Sequence, residues 1–275
     1  MTPRVRRPWR ADRMSTLRGL RLIWFVTWFN VRMLLTSEFF ILTTFLTPLI
    51  FATLAFFLFQ AGGATQGQTL LYVALGSGMM GVWSTTLFGC GGAIAWQRWE
   101  GTLELLVNAP SRYDYILAGQ TFGAVVLGFY GIVATLAWGV LLLGMPLTAT
   151  FPLILPISLA AAVLSLGALG MLIATTFVLY RHANALGNLL EYPIWLVAGL
   201  LVPIATLPLW VRPISWLLAP TWGMEAIRGA AIGTQAPWFA IAMCLVLAAV
   251  YYVAARICLV YVIRKARRDA TLSLQ

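Results

Sequence analysis

The chain has 275 residues, of which 61% are hydrophobic and 9% are charged, and its formal net charge is +10. Soluble domains carry about 25% charged residues, so this composition excludes a soluble globular protein. The positive charge lies at the ends of apolar runs, where it encodes membrane topology and does not indicate nucleic-acid binding. Because runs of about 20 apolar residues predict transmembrane helices, the length allows one bundle of about six spans.

The N-terminal region precedes the first apolar run and has two parts. Residues 1–14 are a basic tail that we expect to be disordered. Residues 15–37 have the periodicity of an amphipathic helix, with Leu17, Trp24 and Trp28 on its apolar faces. This pattern predicts a helix that lies in the cytoplasmic interface of the membrane, with a short first span as the alternative. The polar face is formed by Arg18, Arg21, Arg32 and Thr36.

Six apolar runs follow and predict six transmembrane helices. The predicted fold class is therefore an all-α membrane protein, in which residues 38–263 form one six-span domain. The predicted spans are residues 39–59, 70–95, 116–143, 153–179, 186–207 and 238–262.

Basic residues mark both ends of this domain. Of 18 Lys and Arg residues, eight precede residue 33 and four lie in residues 264–268, within a basic tail at 264–275. The loops predicted outside contain only Arg212 and Arg228, so the positive-inside rule places both termini in the cytoplasm. All basic residues except Lys265 are arginine, a bias typical of a GC-rich bacterial genome. We therefore expect a multi-pass protein of a bacterial cytoplasmic membrane.

Residues 97–110 are a polar interruption between the second and third runs. Glu100 and Glu104 share one side of a short predicted helix, and Leu103 and Leu106 share another. Because the second span runs inward, this helix lies on the cytoplasmic side. One interpretation is a solvated loop helix that marks topology. A docking helix explains both faces better, because its leucines would enter a groove of a partner and its carboxylates would meet a basic rim.

The same stretch, RWEGTLELLVNAPSR, resembles a segment of ABC transporter permease subunits of the ABC-2 exporter family. A second stretch, LPLWVRPISWLLAPTWGMEAIRG, is similar to the outer segment between the last two spans of that family. In the first stretch the matching residues are Glu100, Gly101, Thr102, Leu103, Glu104, Leu106, Pro110 and Arg112, with Arg98 before them and Trp99 where the family often has a charged residue. In the second stretch they are Leu207, Pro208, Trp210, Pro220, Ala226 and Arg228.

The resemblance implies the architecture and the partners of an exporter. Two permease subunits, as a homodimer or a heterodimer, would form the membrane pore, and two copies of a separate ATPase subunit would bind ATP and Mg. A coupling helix at residues 97–110 would rest with the interfacial helix in a cleft of the ATPase. The second and fifth spans would line the path, and residues 208–237 would form a re-entrant outer hairpin that closes its exit.

The cargo is not identified by the sequence. Outward transport follows from the resemblance, and drug, lipid and glycan exporters share the architecture. The apolar spans contain few charged residues, which favours a hydrophobic or amphipathic substrate.

One group of candidate site residues lies in the outer segment. Glu225 and Arg228 are three residues apart and, with Trp210 and Pro220, are candidates for an outer gate. A local ion pair would hold this gate closed. The alternative is an exposed structural pair that contributes about 0–1 kcal/mol to stability.

A second group lies inside the predicted spans. A carboxylate inside a membrane is costly and commonly functional, so Glu191 is a candidate for the translocation path. It could equally lie in the interface beside Arg181 and His182. Trp83 and Trp195 fall in the middle of the second and fifth spans, where they would line the path or, in the more common case, pack in the core or against lipid.

The sequence contains no phosphate loop for ATP. That motif requires Gly-x-x-x-x-Gly-Lys-Ser/Thr, and Lys265 lies between Arg264 and Ala266. The chain is therefore predicted to be no enzyme and to bind no cofactor itself, and its three scattered cysteines predict no metal site. One rival is a stand-alone secondary transporter or channel, which would show repeats and more buried charges. Another is an intramembrane serine protease using Ser77 and His182, which the membrane core would separate.

Overall fold

The computed structural model describes residues 16–61, 67–102, 105–106, 113–144, 149–177, 183–201 and 203–268. The predicted N-terminal tail and most of the C-terminal tail lie outside these residues. So do Leu103, Glu104, Pro110 and Arg112 of the predicted coupling helix, as well as Arg181 and His182.

The described residues form helices and no strand, which confirms the all-α prediction for this part of the chain. The helices are α1 (Thr16–Thr36), α2 (Glu38–Ala61), α3 (Gly67–Trp99), α4 (Tyr113–Leu143), α5 (Leu155–Phe177), α6 (Ala183–Val197), α7 (Arg212–Trp216), α8 (Ala219–Ile232) and α9 (Trp238–Arg268), with a 3₁₀ turn at Ile204–Thr206 before α7.

Four of these helices, within the described part of the chain, are long and apolar enough to cross a membrane. Their candidate spans are Leu70–Gly92, Tyr113–Leu141, Leu155–Phe177 and Trp238–Val262, which correspond to the second, third, fourth and sixth predicted spans. The chain is a multi-pass membrane protein on this evidence. The total of six spans stays a prediction.

The fifth predicted span, residues 186–207, is wrong as one continuous helix. Helix α6 has 15 residues and ends at Val197, which is shorter than the roughly 20 residues that a perpendicular span requires. Gly199 then adopts a left-handed backbone conformation with φ of 75°. A residue without a Cβ adopts this conformation without strain, so the chain turns here and enters the irregular stretch before α7.

Helix α3 is the central helix of the bundle and contacts α2, α4, α5, α6 and α8. Its candidate span is 83% buried, compared with 22% for that of α9. The largest fully buried side chains include Met79, Trp83 and Leu87, all on α3. The apolar faces that remain exposed on the outer helices suit contact with lipid.

Helix α3 approaches its neighbours closely because small residues lie at the contacts. A Cβ on Gly78 would lie 2.7 Å from the Cα of Ile132 on α4, and one on Gly170 of α5 would lie 2.9 Å from Cγ2 of Thr86. Small residues let membrane helices gain van der Waals contact at short interaxial distance. These glycines therefore hold α3, α4 and α5 together as one core.

The pair Gly119 and Gly123, spaced as GxxxG on α4, packs against α1. A Cβ on Gly119 would lie 2.6 Å from Cβ of Val26, and one on Gly123 would lie 3.0 Å from the carbonyl oxygen of Thr27. The Thr27 hydroxyl also donates a 3.1 Å hydrogen bond to the carbonyl of Gly119. This motif therefore serves packing within one subunit.

Helix α1 has three different faces. Gly19, Asn30 and Leu34 are buried towards the bundle, and the predicted polar residues Arg18, Arg21, Arg32 and Thr36 are exposed. A third face exposes large apolar side chains. These are Leu17, Leu20, Trp24 and Trp28, whereas the exposed Phe25 and Phe29 lie among and beside the arginines at 100° per residue. An exposed apolar face beside an arginine face is typical of a helix at a membrane interface.

We expect Gly119→Ala to loosen the packing of α1 on α4. The added methyl group would overlap Val26, and overpacking of this kind costs about 1–3 kcal/mol. The melting temperature of the purified protein in detergent, followed by tryptophan fluorescence, should fall by several degrees. The matched control is Gly92→Ala on α3, where a Cβ meets nothing within 4 Å. Equal melting temperatures for the two variants would contradict the assignment of this contact.

Candidate functional site

Arg228 lies at the centre of the best-defined polar site in the structure. This side chain of α8 is 9% exposed. Its guanidinium donates hydrogen bonds to the carbonyl oxygens of Gly199 at 2.9 Å, Leu200 at 2.8 Å and Tyr72 at 3.3 Å. It also lies 3.4 Å from the centroid of the Tyr72 ring, a cation–π contact. We call this end of the bundle the Arg228 end.

The position of these carbonyls explains why an arginine is needed. Gly199 and Leu200 follow the C-terminus of α6, where carbonyl groups lack partners within the helix. The helix dipole places partial negative charge at that end. A planar guanidinium satisfies several acceptors at once, so Arg228 caps α6 from α8 and joins both helices to α3 through Tyr72.

Gly76 makes room for this junction on α3. A Cβ there would overlap the carbonyl oxygen of Leu200 and would lie 2.6 Å from Nη2 of Arg228. No side chain larger than hydrogen fits without moving the cap. Gly76 is therefore required because no side chain fits at its position, whereas Gly199 is required because its backbone has positive φ.

A cavity of about 490 Å³ opens beside the junction and is lined by residues of the outer segment together with Tyr72. Both Glu225 and Arg228 line it, as do Thr221 and Trp222. The Arg228 Nε and the Thr221 hydroxyl have no hydrogen-bond partner among the described residues. The cavity therefore combines apolar walls with polar groups that have unused capacity.

The predicted ion pair between Glu225 and Arg228 is not formed. Within the described residues, Glu225 is exposed, and the guanidinium of Arg228 binds backbone carbonyls instead. The burial of Arg228 and its position opposite the end of α6 are the physical reason. The other two gate candidates do not line the cavity. Trp210 is exposed, and Pro220 is buried in the first turn of α8.

The outer segment is fixed by further polar contacts. The Ser215 hydroxyl donates a 2.6 Å hydrogen bond to the carbonyl of Val197 at the end of α6. The backbone amides of Thr150 and Phe151 donate to carbonyls of Ala231 and Ala230 at the end of α8. Both contacts satisfy carbonyls at helix C-termini. The first ties α7 to the end of α6, and the second ties the segment before α5 to the end of α8.

Glu191 lies at the contact between α6 and α3. It is 7% exposed and accepts a hydrogen bond from the Ser84 hydroxyl, with 2.5 Å between the oxygens. A buried carboxyl group is costly unless it is hydrogen-bonded. Ser84 therefore compensates for part of that cost and fixes the register of α6 on α3.

Trp83 and Trp195 belong to the same buried apolar cluster as residues of α3, α5 and α8. The ring of Trp195 packs edge-on against those of Phe51 and Tyr192, with centroids 5.0 and 5.1 Å apart. Both indoles are buried and their N–H groups lack partners among the described residues. These observations favour packing of both tryptophans in the core over a position that lines an open translocation path.

The opposite end of the bundle, which we call the Glu100 end, contains the described part of the predicted coupling helix. Gly101 has φ of 68° and ends α3 in the left-handed conformation that favours glycine. The Thr102 hydroxyl donates a 3.2 Å hydrogen bond to the carbonyl of Gln97. Glu100 is exposed, and Leu106 packs against a core cluster that includes Leu34 and Tyr113. The side chain of Arg98 lies outside the described residues.

The sequence did not single out several residues that the structure brings together. Tyr72, Gly76 and Gly199 build the Arg228 junction, and Ser84 binds Glu191. The signal that could have identified Ser84 is a hydroxyl side chain, next to Trp83, inside an apolar span. The glycines have no such signal, because many glycines in this chain only permit close packing.

No group of described His, Cys, Asp and Glu side chains is arranged to hold a metal ion. Ser77 is buried in α3, and its partner in the protease hypothesis, His182, lies outside the described residues. An ion pair of 3.5 Å joins Arg256 to Asp114 and links α9 to the start of α4. This ion pair therefore connects two helices that are far apart in the chain.

Comparison with known protein families gives a match over most of the chain. The profile of a family described as ABC-2 type transporter matches residues 21–232, more than three quarters of the chain. No significant match was found among curated proteins.

We expect Arg228→Gln to destabilise the Arg228 end. Each buried carbonyl left without a donor costs about 1–3 kcal/mol, so the melting temperature should fall clearly. The melting temperature of Arg228→Lys should lie between those of Arg228→Gln and the wild type, because lysine keeps the charge but lacks the planar guanidinium. Glu225→Gln is the control, and this exposed site should change stability by less than about 0.5 kcal/mol. A Gln variant as stable as the control would show that the cap does not hold α6.

Ser84→Ala should also destabilise the protein, because it leaves the buried Glu191 carboxyl without its described donor. A buried polar group left without its partner costs about 1–3 kcal/mol. Ser158→Ala is the matched control, since the Ser158 hydroxyl is buried and has no partner among the described residues. Thermal unfolding should rank Ser84→Ala below Ser158→Ala, and the reverse order would contradict the role of Ser84.

Proposed function

The chain belongs to the ABC-2 type transporter family and is the transmembrane subunit of an ABC transporter, and on this premise we propose that it is an exporter subunit driven by a separate ATPase. Two such permease subunits and two ATPase subunits would form the complex. The ATPase would supply the ATP and Mg site, because this chain contains no phosphate loop.

The observation that carries this proposal is the path of α3. This helix has 33 residues, about 50 Å at 1.5 Å per residue. It ends at Glu100 and Gly101 at one end of the bundle, and Tyr72 and Gly76 contact Arg228 at the other. A rigid helix that joins both ends supports transmission of movement from an ATPase at the Glu100 end to the cavity at the Arg228 end.

The Glu100 end has the features of a docking surface. Glu100 and Leu105 are exposed, and Leu106 anchors the segment to the core. Carboxylates at a rim suit a basic groove on the partner. Because Tyr113, Leu34 and Leu106 share one cluster, force on this segment would reach α1 and α4 as well as α3.

The outer cavity supports a role for the Arg228 end in release of cargo. Its lining is mostly apolar, with Trp216 and Trp222 near Arg228. Such a lining suits a hydrophobic or amphipathic molecule with a polar group. We propose that the outer segment closes the exit in the resting transporter and moves when the ATPase closes. Export across a bacterial cytoplasmic membrane, with both chain termini in the cytoplasm, belongs to the same proposal.

The charge reversal Glu100→Arg with Glu104→Arg tests the coupling. We expect the double variant to insert into the membrane normally and to lose copurification with its ATPase, or to lose ATP-dependent transport, because arginines would face the basic rim of the partner. Like charges across such a contact would reduce ATPase stimulation by at least about tenfold, corresponding to 1.4 kcal/mol.

The control applies the same change of charge at Glu38, an exposed residue in the first turn of α2. Normal coupling of the Glu100/Glu104 double variant to its ATPase would show that residues 97–110 are only a solvated loop. Transport by the wild-type chain without any ATPase would support the stand-alone transporter instead.

A further inference from the structure

A second cavity lies at the Glu100 end and has no role in the proposed export cycle. Its volume is about 430 Å³, and it lies between α1, the end of α3 and the start of α4. Its polar lining includes Asn30, Gln97, Gln120 and Glu100, and its apolar lining includes Phe29 and Trp96. Both aromatic residues are largely exposed, so the cavity opens towards the surface.

Three amide side chains around this cavity have an unused acceptor. The side-chain oxygens of Asn30, Gln97 and Gln120 are buried and have no hydrogen-bond partner among the described residues. Asn30 is 2% exposed and Gln120 is 8% exposed. An unsatisfied buried acceptor costs about 1–3 kcal/mol, so three such oxygens on residues that line one cavity favour an occupant that donates to them. The terminal torsion of an amide rotates broadly, so these groups can turn towards an occupant.

The chemistry of the lining identifies the missing donor. Amide oxygens and the Glu100 carboxylate accept hydrogen bonds and favour positive charge. The faces of Trp and Phe rings attract cations. A primary ammonium group has three donors and one positive charge, which matches three acceptors, a carboxylate and two rings.

We propose that this cavity binds a primary ammonium group, carried by the headgroup of a membrane lipid of the ethanolamine type. The membrane source is favoured by α1 itself. At 100° per residue, Arg32 lies about 60° around the helix from Phe29, and Arg32 is exposed. An ethanolamine phosphate could therefore place its ammonium in the cavity and its phosphate beside Arg32. The exposed apolar face of α1 would contact the acyl chains.

The site rests on the membrane location of the chain and not on the proposed ATPase coupling. Because Glu100 belongs to both, the test uses the full chain without an ATPase. The purified protein is reconstituted in nanodiscs of phosphatidylethanolamine or phosphatidylcholine with identical acyl chains. Trimethylation of the amine keeps the charge and removes every donor, so this pair of lipids tests the amide acceptors.

We expect a higher melting temperature in phosphatidylethanolamine, by several degrees, and at least a tenfold preference for this lipid in competition measured by native mass spectrometry. Asn30→Leu and Gln120→Leu should reduce the preference and, as buried amides replaced by apolar groups, should stay folded. Asn188→Leu is the control, because Asn188 is an exposed amide on α6. The comparison of the wild-type protein in the two lipids tests the proposal even if a variant fails to fold.

Two further measurements distinguish a lipid headgroup from a free amine as the source of the ammonium group. Arg32→Gln should weaken binding of the lipid and leave any effect of free ethanolamine unchanged. Stabilisation by free ethanolamine that equals the effect of the lipid, with no change in Arg32→Gln, would overturn the lipid assignment and keep the ammonium site. Equal stabilisation by both lipids, or an unchanged preference in Asn30→Leu and Gln120→Leu, would overturn the site itself.

Discussion

The cap that Arg228 places on the C-terminus of α6 is the interaction on which the architecture of the Arg228 end depends. Helix α6 stops at Val197, and the three residues after it are buried, so their carbonyl groups need partners. A single guanidinium satisfies carbonyls of Gly199, Leu200 and Tyr72. Since these groups come from α6 and α3 while Arg228 comes from α8, one side chain fixes three helices and forms part of the wall of the outer cavity.

The same constraint governs the other polar groups of the bundle. In a medium of low polarity a polar group is stabilised by a partner, and several of the described partners lie on another helix. Ser84 binds Glu191 across α3 and α6, Ser215 binds the carbonyl of Val197, and Thr27 binds that of Gly119. Several buried polar atoms of the described residues lack a partner, and three of them are amide oxygens of residues that line one cavity at the Glu100 end, where an ammonium ligand would supply donors.

Glycine contributes to this protein in two physically different ways. Gly76 and Gly119 lack a side chain because another helix or a cap occupies the space. Gly101 and Gly199 have positive φ and end α3 and α6. The first kind sets the distances between helices, and the second kind sets where a helix stops. Helix α3 extends between the Glu100 end and the cavity at the Arg228 end as one continuous element.

The sequence by itself determined the all-α membrane class, four of the spans within a few residues, and the family. Hydropathy over about 20 residues and short motifs are local signals, and they suffice for these. Only the tertiary structure decided that α6 ends at Val197, that Arg228 binds carbonyls and not Glu225, and that Glu191 meets Ser84. These contacts join residues far apart in the chain, and no local pattern encodes which buried polar group meets which acceptor once helices pack.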